Sequence, residues 1–443
     1  MRYRALAMLS LVASASVSLD AGAAPLTPAQ RTERAAVIRD VAADNGISAG
    51  FLFAGIAQAE TNLSHCWEEL SWACQGPNSV DCGGGPVVAG AGDGPCSLQQ
   101  GGLGMFQFDG GTFDQTIARD GDGVLLLSGN ITRAIDFVVN MLLASQYVDV
   151  TTPDEAKAWM NQVTVDGPLW DDWITTVTHY YNGCTPTGCS VFEQRYQHYA
   201  DATADVYFEQ GEDFWVVDLP PCGAVPALGR TLEETDTCFT KGGPLAFWRV
   251  GIGGESNLHV WTRTTDADTA ANYAEWTLSF DEAGRYLVEV SATKGTTPLA
   301  SYLIEHDATS SEIVVDQSQV DGFVELGEFE FAAGGEQRVF IGDHTGDVAS
   351  ERLVVDALRL TRLDPGGGGG AGGSGASSGA GGDDGGDDGG GAGDPADDAG
   401  SSVGCSCTAG ASSSGGDAAA LALLLGLAAT RARRRSTARR TTR

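Results

Sequence analysis

From Thr27 onward, apolar residues recur at helical spacing. Thr27-Pro28-Ala29-Gln30 is a capping box with proline at the first helical position, and Val37, Ile38, Val41 and Ala42 then form one face until Asn45-Gly46 ends the run. Ser48 opens a second predicted helix. Its segment Phe51-Leu52-Phe53-Ala54-Gly55-Ile56-Ala57 is apolar on every side, which suits a helix threading a core, and it ends in Glu60. Further on, Ile131, Ile135, Val138, Val139, Leu142 and Leu143 make an apolar face after Asn130, and Thr152-Pro153-Asp154-Glu155 is a second capping box. Trp170 to Asn182 reads as another helix, and Ser190 with Glu193 marks the last one. Residues 25–213 are thus predicted to be all-α.

The period then changes. Arg285 to Ser291, Phe323 to Phe331 and Arg352 to Leu360 alternate apolar and polar positions and favour β-formers, with turns at Gly284, Gly322 and Gly334-Gly335. Several short strands in one domain-sized stretch, residues 222–363, predict a β-sandwich.

Both ends of the chain read as addresses. Arg2 and Arg4 precede an apolar run from Ala5 to about Val17, and the small residues Ala21, Gly22, Ala23 and Ala24 follow, so residues 1–24 have the order of a secretory signal peptide. Residues 364–404 are almost wholly Gly, Ala, Ser and Asp, too polar and too small to offset chain entropy by burial, and are expected to be a disordered tether. Cys405-Ser406-Cys407, an apolar stretch from Ala418 to Ala429 and an Arg-rich tail through Arg440 then resemble the Myxo-CTERM sorting tag, residues 405–443. The resemblance implies a membrane sorting protease as partner, with Cys405 and Cys407 in the sorting motif, and surface attachment of the mature protein. A permanent, marginal membrane anchor is the plainer use of the same apolar run.

Composition narrows the roles left open. A net charge of −33 leaves no basic surface for nucleic acid. Cys66, Cys74, Cys82, Cys96, Cys184, Cys189, Cys222 and Cys238 are an even set in the exported part, as disulfides in an oxidising compartment require. Cys184/Cys189 and Cys222/Cys238 are close enough in sequence for local pairs. The Cys lack a C-x-x-C spacing and the six His are scattered, so no metal or other cofactor is expected.

The candidate chemistry centres on Glu60. Burial disfavours a charged carboxyl, and the negative end of a helix dipole pushes the same way, so Glu60 is expected to hold a proton near neutral pH, as a general acid must. Gly102-Leu103-Gly104-Met105-Phe106-Gln107-Phe108 places a polar Gln among apolar residues, with glycines that permit close backbone approach. The ordered strings AQAETN, GMFQFD and YYNG resemble the lytic transglycosylase superfamily, which includes goose-type lysozyme. That resemblance implies a lysozyme-like domain acting on peptidoglycan. Glu60 would be its acid, Gln107 would line the groove, and Tyr181 and Asn182 would hold the sugar and the carboxyl. The chain departs from the pattern at Thr61, at Met105-Phe106, in the shortened Tyr181-Asn182-Gly183, and in a Cys- and Gly-rich insert, Cys66 to Gly101. A transglycosylase needs only one carboxylate because the muramic sugar supplies the rest, leaving a 1,6-anhydro end. A lysozyme-type hydrolase would need a second one to position water, for which Asp81, Asp93 and above all Asp109 are candidates.

In the second domain, YAEWTLSFDEAGRYLVEV, DGFVELGEFEFAAG and VVDALRL resemble the golvesin C-terminal, xanthan-lyase carbohydrate-binding-like domain, which implies glycan binding. Trp248, Trp261, Tyr273 and Trp276 are candidate sugar platforms that core packing explains equally well, as it does Trp159, Trp170, Trp173, Tyr196 and Tyr199 in the first domain. The whole is expected to be multidomain: an all-α lysozyme-like domain, an all-β sandwich, then the linker. A non-catalytic glycan-binding surface protein is the alternative from a different class.

Overall fold

The computed structural model describes residues 24–70, 72–90, 101–346 and 350–363. The expected signal peptide up to residue 23, the linker, the sorting tag with Cys405 and Cys407, Asp93 and Cys96 lie outside the described residues.

The first half contains α1 (Pro28–Asp44), α2 (Phe51–Thr61), β1 (Cys74–Asn78), β2 (Pro86–Ala89), α3 (Phe113–Asp120), α4 (Leu127–Ala144), α5 (Pro153–Met160), α6 (Trp170–Thr176), α7 (Phe192–Gln210) and the single turn α8 (Glu212–Trp215). Both capping boxes form, at Thr27/Gln30 and Thr152/Glu155. Two helix starts differ from the pattern. α2 begins at Phe51 rather than Ser48, whose N–H donates to Asn161 Oδ1 at 2.8 Å. α7 begins at Phe192 without a side-chain cap from Ser190.

α2 is buried from Phe51 to Ala57. Its tightest neighbour is α7: a β-carbon on Gly55 would fall 2.0 Å from Thr203 Oγ1, so only glycine lets these helices approach so closely. The helical half continues to Trp215, which is buried and sets its ring edge-on to Phe51 with centroids 6.4 Å apart.

This half is not wholly α. The insert folds β1 against β2 as an antiparallel pair, extended by isolated bridges from Cys66 to Val87 and from Ala89 to Leu103. A disulfide joins Cys66 to Cys82, and Cys74 is also disulfide-bonded. Glycines and short apolar pairs (Val87-Val88) hid these strands from a reading based on longer alternation. The expected Cys184–Cys189 and Cys222–Cys238 disulfides are both present.

The second half is all β: β3 (Gly229–Leu232), β4 (Phe239–Gly242), β5 (Arg249–Ile252), β6 (Leu258–Arg263), β7 (Tyr273–Phe280), β8 (Gly284–Ala292), β9 (Ala300–His306), β10 (Thr309–Val315), β11 (Gly322–Phe331), β12 (Gly334–Gly342), β13 (Arg352–Val355) and β14 (Leu358–Arg362). They form a five-stranded sheet, β10-β9-β12-β7-β4, a four-stranded sheet, β11-β8-β14-β3, and a three-stranded sheet, β13-β6-β5. Alternate residues of β7 (Ala274, Trp276, Leu278, Phe280) and β8 (Tyr286, Val288, Val290) point into the core. Phe280 stacks on Phe331 at 4.5 Å and leans on Tyr286 at 4.8 Å, joining the two larger sheets. The run from Arg352 to Leu360, expected as one strand, is broken at Asp356-Ala357.

Helices and sandwich share one core and a polar seam. Asp136 on α4 takes Lys241 of β4 through both oxygens, at 2.6 and 2.7 Å, with both side chains buried. Arg133 on the same helix pairs with Asp120 at 3.0 Å and donates to the Leu245 carbonyl at 3.3 Å. Gly121 and Gly123 lie so close to the Val250 backbone that a β-carbon on either would collide with it. Among the described residues, no helix is long and apolar enough to cross a membrane.

Gly55→Ala is expected to force α2 and α7 apart and lower stability by about 1–3 kcal/mol, read as a lower urea midpoint with unchanged slope.

Candidate active site

Glu60 stands one residue from the end of α2, and the chain leaves the helix sharply because Asn62 adopts a left-handed conformation (φ 54°). The Gly55–Thr203 contact sets the register of α2 against α7. Five residues along α2 and four residues back along α7 are similar rises, about 7.5 and 6 Å, so Glu60 arrives beside Tyr199. The Tyr199 hydroxyl donates to Glu60 Oε1 and accepts from Asn182 Nδ2 at 3.3 Å. Burial pushes the Glu60 carboxyl above the usual carboxylate range, while the Tyr199 hydrogen bond and the charges of His198 and Arg195 pull it partly back. The same burial and the facing carboxylate push the Tyr199 phenol far up, so it stays a donor.

The turn that bears Gln107 is built by three contacts from distant parts of the chain. Asn130, fully buried within α4, accepts the Phe106 N–H at 2.9 Å and donates to the Val124 carbonyl at 2.8 Å. The Thr61 hydroxyl sits 3.0 Å from the Met105 carbonyl, tying the turn to the residue after Glu60. The Tyr181 hydroxyl donates to the Phe106 carbonyl at 2.5 Å. Met105 and Phe106 are buried and serve the core. Gln107 itself takes a left-handed conformation (φ 53°), held by its own Nε2 donating to the Gly104 carbonyl at 2.8 Å. Its Oε1 lies where a side chain at residue 90 would be, so Gly90 leaves it room.

The YYNG segment is not a plain helix end. α6 passes into a π-helical turn, Val177–Tyr181, closed by Asn182 N–H donating to the Val177 carbonyl at 3.3 Å. From this wider turn Tyr181 reaches the Gln107-bearing turn and Asn182 reaches Tyr199. Glu60, Tyr181 and Asn182 thus belong to one hydrogen-bonded assembly with the turn that carries Gln107.

Of the other candidate carboxylates, the two among the described residues are engaged in backbone contacts. Asp109 is exposed and accepts from the Gly111 N–H at 2.7 Å, and Asp81 accepts from Leu127 N–H at 2.6 Å, in the first turn of α4. Two members of the assembly escaped the pattern: Tyr199 read as a core aromatic, and Asn130 as the residue before an apolar face. Each acts on a partner remote in sequence, and nothing local signals that.

In the sandwich, Trp248, Trp261 and Trp276 are buried and belong to the core, whereas Tyr273 is 38% exposed and stacks on Phe340 at 5.3 Å.

Residues 247–362 match the Golvesin C-terminal domain family. No curated protein matches the chain. Solved structures similar to it include a Paenibacillus xanthan lyase (16% identity, 31% of this chain and 13% of that one, TM-score 0.27) and a Podospora anserina GH26-CBM35 β-(1,4)-mannanase (16% identity, 32% and 29%, TM-score 0.23). A third is the C-terminal CBM6 of a marine laminarinase from Zobellia galactanivorans, at 10% identity over 30% of this chain and 99% of that one, with TM-score 0.22. The chain thus spans 13% and 29% of the first two.

A carboxyl whose folded pKa is raised loses stability as pH climbs, because the unfolded chain gives up its proton first. Glu60→Gln is therefore expected to raise the melting temperature at pH 8, with the gain shrinking toward zero below pH 4, where both forms of Glu60 are protonated. Thermal unfolding across that range checks it.

Proposed function

We propose that the protein is an exported peptidoglycan lytic transglycosylase that cleaves the MurNAc-GlcNAc β-1,4 bond, with Glu60 as acid and then base. The observation that carries the reading is the half-buried Glu60 carboxyl, its pKa pushed upward by burial, aimed by Tyr199 beside the turn that carries Gln107. In the first step Glu60 gives its proton to the glycosidic oxygen as the bond to the muramic C1 breaks, and the sugar's own 2-acetamido group steadies the positive charge. The carboxylate then takes the proton of the 6-hydroxyl, whose oxygen closes on C1 to leave a 1,6-anhydro end. No water is consumed, so a second carboxylate is not required. Gln107 would line the groove, and Asn182 would hold the Tyr199 hydroxyl in line with Glu60.

The disulfides support an oxidising compartment and hence export. The match of residues 247–362 to the Golvesin C-terminal domain supports a glycan-gripping role for the sandwich, with the exposed Tyr273, stacked on Phe340, as its platform. The cell surface, reached through the sorting tag and its protease, is the proposed destination.

Mass spectrometry of muropeptides released from purified peptidoglycan is expected to find 1,6-anhydro ends, with Glu60→Gln reducing release by about 10²- to 10⁴-fold. Reducing ends in their place would mean a hydrolase, and no release with retained binding would mean a glycan-binding surface protein.

Tyr199→Phe removes a hydrogen bond that lowers the Glu60 pKa. The carboxyl should hold its proton to higher pH, so the basic limb of kcat/KM moves upward while kcat falls by about tenfold. A pH–rate profile of the two proteins checks both.

A further inference from the structure

Glu233 and Glu234, just after β3, and Asp356, in the break between β13 and β14, bring one carboxyl oxygen each to within 4.8 Å of the others. Glu234 and Asp356 are only 7% and 1% exposed. Glu233 Oε2, Glu234 Oε2 and Asp356 Oδ1 are buried and have no hydrogen-bond partner. Donors hold other oxygens of the group: Ser256 Oγ gives to Glu233 Oε1 at 3.2 Å, and Glu255 N–H (2.9 Å) and Ser291 Oγ give to Asp356 Oδ2. Gly254 lets its backbone pass close by, since a β-carbon there would lie 2.3 Å from Asp356 Oδ2.

Three carboxyl groups so placed repel one another when ionised, and burial adds to the cost; all three are pushed up, Asp356 to about 7. Lys241 is the cation acting on Glu234, yet its ammonium is held by both oxygens of Asp136. What this cluster lacks is positive charge with several open coordination positions. An all-oxygen donor set without His or Cys suits a hard divalent ion, and calcium, which takes six to eight oxygens at about 2.3–2.6 Å, accepts the irregular geometry of side chains from separate segments.

We infer that Glu233, Glu234 and Asp356 form a calcium site that locks the segment between β3 and β4, and through it the Lys241–Asp136 contact between sandwich and helices. Glu234, Asp236, Phe239 and Lys241 line a cavity of about 310 Å³ whose other wall includes Asp136 and Lys157, so the segment joining cluster to contact is packed along a void. Calcium bound at one end stiffens it. This inference does not depend on the reaction proposed for Glu60.

The test uses the full chain, stripped with chelator and dialysed, and titrated with calcium chloride in a calorimeter. One site with a Kd of about 10⁻⁴ M or tighter is expected, together with a rise in melting temperature on adding calcium. Glu234→Gln and Asp356→Asn should abolish both responses. Without calcium they should melt no lower than the wild type, because each removes a like charge. The more exposed Glu233→Gln should weaken binding at least tenfold while leaving the fold intact. Amide hydrogen exchange at residues 233–241 should slow with calcium in the wild type and not in the two buried-site variants. Absence of heat and of any melting shift in the wild type overturns the site. A calcium response unchanged in both buried-site variants also overturns it, by assigning the ion to another place such as the acidic run Asp383-Asp384 and Asp387-Asp388. Binding without slowed exchange at 233–241 overturns the locking role.

Discussion

The candidate site depends on a contact that contains no chemistry. Where α2 crosses α7, Gly55 offers no β-carbon and Thr203 fills the space, so the two backbones close to a separation that any larger residue would prevent. That approach fixes both position and register: it brings Tyr199 to Glu60 and buries the carboxyl enough to alter its acidity. Interiors are packed too tightly to deform smoothly, so the contact either forms or the helices separate. The strength of the acid is thus set largely by a packing decision more than a helical turn away.

The second support is polar and comes from the opposite side. Asn130, fully buried, interrupts the apolar stripe of α4 and satisfies the Phe106 N–H, which makes the turn at Gln107 costly to misplace. Along the same helix, Arg133 and Asp136 face the sandwich. One helix therefore holds the site turn with its first turn and the β domain with the two turns that follow. Buried ion pairs of this kind add little stability over an apolar packing, but losing one partner leaves the other charge stranded, so they favour a single mutual placement of the two halves.

How much of this could be read from the chain follows from how far each interaction reaches. Glu60 was legible because the apolar run before it and the carboxylate at its end are adjacent, and YYNG and GMFQ because each is a compact string. The capping boxes at Thr27 and Thr152 and the long strands around Tyr286 and Phe329 were legible for the same reason, since caps and pleats are local. Tyr199, Asn130 and Gly55 were not, because a tyrosine, an asparagine or a glycine in a helix acquires a role only from a partner 24 to 148 residues away, a separation no periodicity encodes. The two short strands of the insert and the break at Asp356 were missed differently. A reversed pair whose connecting turn is pinned by a disulfide needs little alternation, and a buried aspartate looks like any polar position in a strand until its neighbours are known. The reading of Cys and His for metals likewise passed over carboxylates that only the fold assembles.

The seam between the halves bears on how such a chain can change over generations. Domains joined by an exposed tether can be exchanged by recombination without harm to either. Here Asp136 and Lys241 lie on opposite sides of the boundary, and the glycines at 121 and 123 are shaped to the backbone of Val250. A descendant that replaced the sandwich with an unrelated module would inherit a buried aspartate without its counter-charge and a groove with nothing to fill it. Helices and strands must therefore be passed on as a matched set, and lineages that vary this architecture are expected to do so beyond the last strand rather than across the seam.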